Sequence, residues 1–315
     1  MSVPRISVVI VTDQYRTIRR VLDHLSRQTA RSDIELIVVV PRDARSSSDE
    51  SGITGFASVK FVELESVHPV PRARAAGIRA ATAPVIFLGE THSFPGPELA
   101  EALISAHENS WDAVVPGLTN ANPASAWSWA SYLMDYGTWD SSNTAGEIHG
   151  APTWNVAYRK DLLEQFDDNL EGGMAHGDTL AVWLRDRNAR MYFEPRAQLA
   201  HANVERFRNW VEQRFLAGVL VAASRRGRWS TGRLMMYVFA SPLIPAVILY
   251  RLRSTVVARL RDRAMPAAAV PALVLGTLFR TAGEVAGYVR GARPAEQPRM
   301  DHYEIQKLAF TSISL

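Results

Sequence analysis

Runs of apolar residues alternate with amphipathic segments through the first 90 residues of the chain. The runs occupy residues 6–12, 35–40, 60–64 and 85–88 and are rich in β-branched residues. Short continuous runs of this kind are typical of strands buried on both faces of a parallel sheet. Apolar residues at helical spacing follow the first run, and residues 72–83 are rich in alanine. Strands alternating with helices predict an α/β fold with a mostly parallel central sheet and flanking helices.

The pattern continues less regularly beyond residue 90. It predicts strands over residues 112–116, 153–159 and 190–195, then a loop to His201 and a helix over residues 204–224. The aromatic segment 125–139 has partly helical spacing. We expect its rings to pack against the sheet; the alternative is a platform beside a sugar or a lipid.

The fourth apolar run is followed by residues that could take part in binding or catalysis. Gly89, Glu90, Thr91 and His92 follow it directly, at the edge of an open α/β sheet where ligands bind. Gly89 would let another group approach the backbone. If the strand stays extended, Glu90 and His92 point to the same side and can hold one divalent cation. The alternative is a strand end with ordinary surface polar groups.

Composition limits the chemistry that is available. The chain has 315 residues and no cysteine, which excludes disulfides, thiolate metal ligands and a cysteine nucleophile. The first residues lack the features of a signal peptide, so we expect a cytoplasmic protein.

The C-terminal third differs in composition from the rest. Residues 225–263 are dense in arginine, with Asp262 as the single acid, and the segments 234–250 and 264–279 are uncharged. Each apolar segment contains two prolines and is short for a membrane span, which needs about 20 residues. We therefore expect interfacial helices on the inner face of the cell membrane, held by arginine at anionic headgroups. The alternative is a soluble helical hairpin on the catalytic domain or at a homo-oligomer interface.

These patterns divide the chain into three parts. Residues 1–224 form the predicted catalytic domain, residues 225–293 a helical region and residues 294–315 a tail that is ordered only in an assembly. Nucleic acid is not an expected partner, because the arginines flank apolar segments instead of forming a polar face.

The order of these motifs resembles a family 2 glycosyltransferase of the GT-A fold, over roughly residues 6–215. The resemblance rests on 6–12, Gln28, 73–78, 85–92, 155–159, 176–184, 194–195 and His201. It implies transfer of a sugar from a nucleotide-diphosphate donor to a hydroxyl of a glycan or lipid-linked acceptor, with inversion at the anomeric carbon.

Several residues depart from the family pattern. Val40 and Pro41 stand where an acid usually holds the nucleotide, and Asp43 is the nearest acid. Glu90-Thr91-His92 replaces Asp-x-Asp and is similar to a bacterial subgroup with Glu-Asp-His. These departures keep a second hypothesis open, a non-catalytic subunit of a glycan-assembly complex that binds the sugar nucleotide.

The resemblance also assigns expected roles. Glu90 and His92 would hold Mn²⁺, or less favourably Mg²⁺, which prefers oxygen ligands. His201 would add a metal or phosphate contact, unless it is structural. Arg74 would pair with phosphate; the alternative is an exposed helix arginine. Thr12 and Asp13 end the first strand and would touch the nucleotide, although a tight turn explains them almost as well.

The base that deprotonates the acceptor is the least certain assignment. Asp178 is the first candidate, since a positioned carboxylate is a usual general base. An N-cap at a helix start explains it equally simply. His176 is the competitor, because its pKa is naturally nearer to neutrality.

Overall fold

The computed structural model of the protein describes residues 3–45 and 53–313. The last two residues of the predicted tail, 314 and 315, lie outside this part. The strands are, in chain order, β1 (Ile6–Val11), β2 (Ile34–Pro41), β3 (Ser58–Leu64), β4 (Val85–Leu88), β5 (Ser93–Pro95), β6 (Ala113–Asn120), β7 (Gly146–Ile148), β8 (Ala157–Arg159) and β9 (Met191–His201).

Helices flank the strands and then dominate the C-terminal third. They are α1 (Tyr15–Ser26), α2 (Arg42–Arg45), α3 (Val70–Ala80), α4 (Leu99–His107), α5 (Ala126–Tyr136), α6 (Lys160–Glu164), α7 (Leu170–Gly173), α8 (Thr179–Asp186), α9 (Phe207–Arg226), α10 (Thr231–Ala240), α11 (Ile244–Arg261), α12 (Ala269–Arg290) and α13 (Glu296–Ile305).

The N-terminal half of the sheet is parallel, in the order β3-β2-β1-β4. Alternate residues of β1 enter different cores: Val9 joins one cluster, whereas Val8 and Ile10 join the cluster on the opposite face. Helix α3 lies so close to the sheet that a Cβ on Gly77 would be 2.5 Å from Val9 Cγ1. Burial on both faces explains the continuous apolar runs.

The sheet continues beyond β4 with mixed pairing, in the order β8-β6-β9-β5, and β7 pairs with β9. Strand β8 is antiparallel to both β4 and β6. The expected α/β fold with a mostly parallel sheet is confirmed, but this antiparallel insertion is not visible in the apolar pattern.

The predicted loop after residue 195 is wrong, because β9 continues to His201. Its register with β6 shifts between Pro116 and Gly117, where three residues of β9 bulge out. Such a bulge lets a strand pass a residue that cannot donate a ladder hydrogen bond, here Pro195. A Cβ on Gly117 would lie 2.9 Å from the Pro195 backbone, so the close approach needs glycine.

The predicted boundary after residue 224 falls within α9. Helix α12 packs along α9 by means of glycines: a Cβ on Gly218 would lie 2.0 Å from the Arg280 carbonyl oxygen, and one on Gly283 would lie 2.1 Å from that of Phe215. Trp210 and Leu273 share one hydrophobic core with residues of the sheet. Within the described residues, the C-terminal helices and the sheet are therefore joined by continuous packing.

Two C-terminal segments are long and apolar enough to cross a membrane by length and composition alone, but they differ in burial. An 18-residue stretch within residues 231–261 has a mean hydropathy of 1.6 and is 6% buried, whereas one within residues 269–290 has a mean hydropathy of 1.2 and is 44% buried. For α12, which is residues 269–290, the contact with α9 supports the alternative of a helix packed on the catalytic domain. Helix α10 has no buried residue, whereas in α11 Pro245, Leu252 and Thr255 are buried and Val247, Tyr250 and Val257 are exposed.

Residues 294–313, predicted to be ordered only in an assembly, are ordered here by packing against the rest of the same chain. Helix α13 is followed by a 3₁₀ turn at Lys307–Phe310, and Met300, Tyr303 and Leu308 are buried. Burial of these apolar side chains in the core of the same chain stabilises the ordered conformation of the segment.

The close contact of α9 and α12 at glycine predicts that a larger residue there lowers the stability of the protein. Gly283→Ala should lower the free energy of unfolding by about 1–3 kcal/mol, because the new methyl group overlaps backbone atoms that must shift. Thermal unfolding measured by circular dichroism tests it. Gly232→Ala is the matched control, since its Cβ would meet no described atom within 4 Å. Equal unfolding midpoints for the two variants would contradict the packing.

Candidate active site

The site begins where β4 ends. Strand β4 stops at Leu88, and the chain turns, with Ser93 N donating to the Glu90 carbonyl at 3.4 Å. The expected extended backbone through His92 is therefore absent from this segment. A Cβ on Gly89 would meet nothing in the described chain closer than 3.4 Å, so the backbone does not require glycine at this position.

The turn nevertheless places Glu90 beside His92, and a strand pairing adds a third residue. Because β5 pairs with β9 in the register Ser93–His201, the imidazole of His201 faces that of His92. The two Nε2 atoms are 3.1 Å apart, and Glu90 Oε2 is 3.4 Å from each of them. These three residues, all buried, form a cluster that we call the Glu-His-His triad.

Hydrogen bonds place a proton on the Nδ1 atom of each ring. Asn203 directs its amide nitrogen at two oxygens, Asn120 Oδ1 and the His201 carbonyl, so its Oδ1 accepts from His201 Nδ1 at 2.8 Å. Thr91 Oγ1 donates to the Ile305 carbonyl at 2.9 Å and lies 3.3 Å from His92 Nδ1. Each Nδ1 therefore carries a proton, and in the neutral ring each Nε2 has a lone pair that can bind a metal.

Glu90 is held by groups from two further segments. Asn155 Nδ2 donates to its Oε2 at 2.5 Å, and Tyr136 Oη lies 3.3 Å from the same atom. Asn155 has a φ of 59°, a conformation that asparagine tolerates better than most residues. Sequence reasoning assigned no role to either side chain, because Tyr136 belongs to a packed aromatic helix and Asn155 precedes a short strand.

The electrostatics of the triad suit a cation. Burial would raise the pKa of Glu90, but His92, His201 and the Lys307 ammonium together hold it well below its usual range. Burial, with help from Lys307, lowers the pKa of His92 well below its usual value. At neutral pH the site thus contains a carboxylate and a neutral imidazole, which are the forms that bind metals.

One buried oxygen without a hydrogen-bond partner shows whether a metal ion would suit the triad. Glu90 Oε1 is buried and has no hydrogen-bond partner among the described residues. A buried carboxylate oxygen without a partner is costly, and the two Nε2 atoms repel one another when both are unprotonated. One divalent cation bound by Glu90, His92 and His201 would satisfy all three atoms, and open positions would remain for other ligands.

A cavity of about 360 Å³ lies beside the triad and brings together the two candidates for the base. His176, Asp178, Trp154 and Tyr136 line it, as does Lys307 from the C-terminal segment. Arg74 is buried, with its guanidinium 3.7 Å from the centre of the Trp154 ring. The alternative of an exposed helix arginine is therefore wrong. His176 packs edge-on against the same ring, at 5.3 Å.

The two candidates for the base differ in their surroundings. Asp178 makes no N-cap hydrogen bond; instead its oxygens pair with Arg225, at 2.8 Å, and with Arg228. Although burial opposes it, these two guanidinium groups lower the pKa of Asp178. Burial lowers the pKa of His176 and keeps its imidazole neutral near pH 7. Asp178 is thus a weak base, and His176 has a ring nitrogen that can accept a proton.

The predicted nucleotide contacts are distributed along the same edge of the sheet. Thr12 Oγ1 makes a local turn, donating to the Gln14 carbonyl at 2.8 Å. Both oxygens of Asp13 accept from Gln306 Nε2 at 2.7 Å. Asp43 is exposed on α2, next to the end of β2, and its Oδ1 accepts from Ala44 N at 3.0 Å.

The mostly parallel sheet with a polar site at its edge agrees with the GT-A fold expected from the sequence. The profile of glycosyl transferase family 2 matches residues 7–166, and the chain belongs to that family. A mannosyltransferase of Pyrobaculum calidifontis, solved with GDP-Man and Mn²⁺, aligns over 93% of this chain and 89% of its own, with a TM-score of 0.51 and 14% identity. TarS 1–349 of S. aureus aligns over 92% and 93%, with a TM-score of 0.48 and 15% identity. No curated protein sequence matches the chain.

The triad makes a prediction about metal affinity. Glu90→Gln, His92→Ala and His201→Ala should each weaken Mn²⁺ binding by about 10-fold or more, since even residues that only orient a metal ligand have effects of this size. Calorimetric titration with Mn²⁺, with and without a nucleoside diphosphate, measures it. His149→Ala, which removes an exposed histidine, is the control. Unchanged affinity in all three triad variants would exclude the assignment.

Proposed function

We propose that the protein transfers a sugar from a nucleotide-diphosphate donor to a hydroxyl acceptor during glycan assembly, with a divalent cation at the Glu-His-His triad. The observation that carries this proposal is the buried cluster of one carboxylate and two imidazoles formed by Glu90, His92 and His201. Imidazole ligands favour Mn²⁺ over Mg²⁺. A bound metal ion would neutralise the diphosphate leaving group.

Other side chains near the cavity would bind the phosphates and accept the proton of the acceptor hydroxyl. Arg74, which stacks on the Trp154 ring, would pair with phosphate oxygens. The acceptor oxygen attacks the anomeric carbon while the bond from that carbon to the diphosphate oxygen breaks. The hydroxyl proton passes to the neutral ring of His176. One such displacement inverts the anomeric configuration. Asp178, whose charge is balanced by Arg225 and Arg228, would hold the segment that carries His176 in this scheme.

This assignment predicts different effects for the two candidate bases. His176→Gln should lower turnover by about 10²-fold or more with little change in donor affinity, since a general base contributes about that factor. Asp178→Asn should lower it less. Transfer and hydrolysis assays with Mn²⁺ across a panel of UDP- and GDP-sugars measure both effects.

The reverse order of the two effects would assign the base to Asp178. A wild-type protein that binds a sugar nucleotide and neither transfers nor hydrolyses it would instead support the alternative, a non-catalytic subunit.

Helices α10 and α11 favour a location on the anionic, cytoplasmic face of a membrane. Phe239, Leu243 and Tyr250 are 77%, 65% and 65% exposed. Exposed apolar surface of this extent marks an interaction site. The exposed arginines of α11 and of the residues just beyond it are Arg251, Arg253, Arg261 and Arg263. Arg259 points inward and pairs with Asp140 at 2.6 Å, which fixes α11 on the catalytic domain and would hold the active site near a membrane-borne acceptor.

The membrane proposal can be tested with vesicles. The protein should co-sediment with vesicles that contain phosphatidylserine and dissociate partly at high salt, because each basic residue contributes about 1 kcal/mol of screened attraction. The double variant Phe239→Ser, Leu243→Ser should lose the salt-resistant part. Val3→Ser, which changes an 84% exposed residue elsewhere, is the control. Wild-type protein that ignores the vesicles and forms a dimer that this double variant disrupts would assign the surface to a homo-oligomer interface.

A further inference from the structure

Residues 296–313, which we call the C-terminal strap, lie across the edge of the sheet that carries the triad. Three contacts fix the strap to the ends of different elements. Thr91 Oγ1 donates to the Ile305 carbonyl at 2.9 Å, Gln306 Nε2 donates to both oxygens of Asp13 at 2.7 Å, and Val70 N donates to Asp301 Oδ2 at 3.2 Å. The strap is therefore part of the wall of the site, although it lies 130 residues beyond the segment that matches the family.

Lys307 is the cation that this strap brings to the cavity. Its side chain is 5% exposed, and its Nζ lies 3.3 and 3.5 Å from the two oxygens of Glu304. Lysine is rarely buried to this degree without a strong partner. Here the partner is on the same turn of the strap and lines the same cavity as Lys307.

The position of Lys307 is unusual because a cation faces a candidate cation site. Its charge acts on Glu90, where it favours the carboxylate, and on His92, where it disfavours the imidazolium. Metal binding alone gains nothing from an ammonium nearby, since like charges repel. An ammonium and a metal ion in the same cavity are complementary to a ligand with several negative charges, such as a diphosphate.

Other cations that line the cavity are already committed to acids. Arg214 makes a bidentate pair with Asp135, at 2.7 and 2.8 Å. Arg280 pairs with Glu284 of its own helix at 3.4 Å. Lysine differs from these arginines because its ammonium, on a flexible four-carbon stem, can exchange one oxygen partner for another.

We propose that Lys307 is a diphosphate-binding residue of the donor site, supplied by the C-terminal strap. This inference rests on the proposed function, since the diphosphate is that of the sugar nucleotide. In the ligand-free chain, Glu304 holds the ammonium; in the complex, phosphate oxygens replace Glu304. As the glycosyl bond breaks, the departing diphosphate gains negative charge, which the ammonium stabilises next to Arg74.

The test separates a diphosphate contact from a structural role by measuring two ligands on full-length protein. Lys307→Met should weaken binding of GDP, UDP and inorganic pyrophosphate in the presence of Mn²⁺ by about 10-fold or more, as expected for a lost charge-assisted hydrogen bond. The same variant should bind Mn²⁺ alone at least as tightly as the wild type, because a repelling charge has gone. Lys160→Met is the control, since Lys160 also pairs with a carboxylate on its own helix, at 3.3 Å.

Glu304→Gln provides a second variant that keeps the lysine and the shape of the strap. Releasing the ammonium from its partner should leave pyrophosphate affinity unchanged or raise it a few-fold. Wild-type affinity for pyrophosphate in Lys307→Met would overturn the inference, and so would an equal loss of Mn²⁺ and pyrophosphate binding. Sugar transfer that is absent from the wild type, together with pyrophosphate binding that depends on Lys307, would overturn the proposed function and leave the inference standing.

Discussion

The buried carboxylate of Glu90 is the interaction on which the rest of the site depends. A charge removed from water must be compensated by hydrogen bonds or opposite charge, or it is neutralised by protonation. Here the compensation comes from parts of the chain far apart in sequence: Tyr136 of α5, Asn155 before β8, His201 at the end of β9 and Lys307 of the strap. The need to compensate one carboxylate therefore links the parallel sheet, its antiparallel extension and the C-terminal end of the chain.

Two features of the fold serve that arrangement. The bulge opposite Gly117 lets β9 continue past Pro195, so that His201 arrives beside Ser93 and faces His92. The left-handed conformation of Asn155 turns its amide toward Glu90 before β8 begins. Both are local departures from regular structure, and departures of this kind tend to occur next to functional sites.

The C-terminal third contains helices that pack in the core and helices that leave apolar residues exposed, and its composition does not distinguish the two. Helix α12 and the strap belong to the core of the enzyme, because glycine contacts and buried aromatic residues join them to α9 and the sheet. Helix α10 and one side of α11 leave apolar residues exposed, while Leu252 and the Arg259–Asp140 pair anchor α11. An apolar segment can be long enough for a membrane and still be a packed helix, since hydropathy does not report what covers a surface.

The sequence by itself determined the fold class, the family resemblance and the position of Glu90 and His92, because continuous apolar runs and the order of motifs are local properties of the chain. Only the tertiary structure decided that His201 completes the triad, that Asp178 is neutralised by Arg225 and Arg228, and that the predicted tail closes the site. These facts depend on strand register, on a bulge and on contacts between residues more than 40 positions apart. The order of motifs suggested a role for His201, but no period or motif shows which residues touch, since such contacts arise only when separate elements pack against one another.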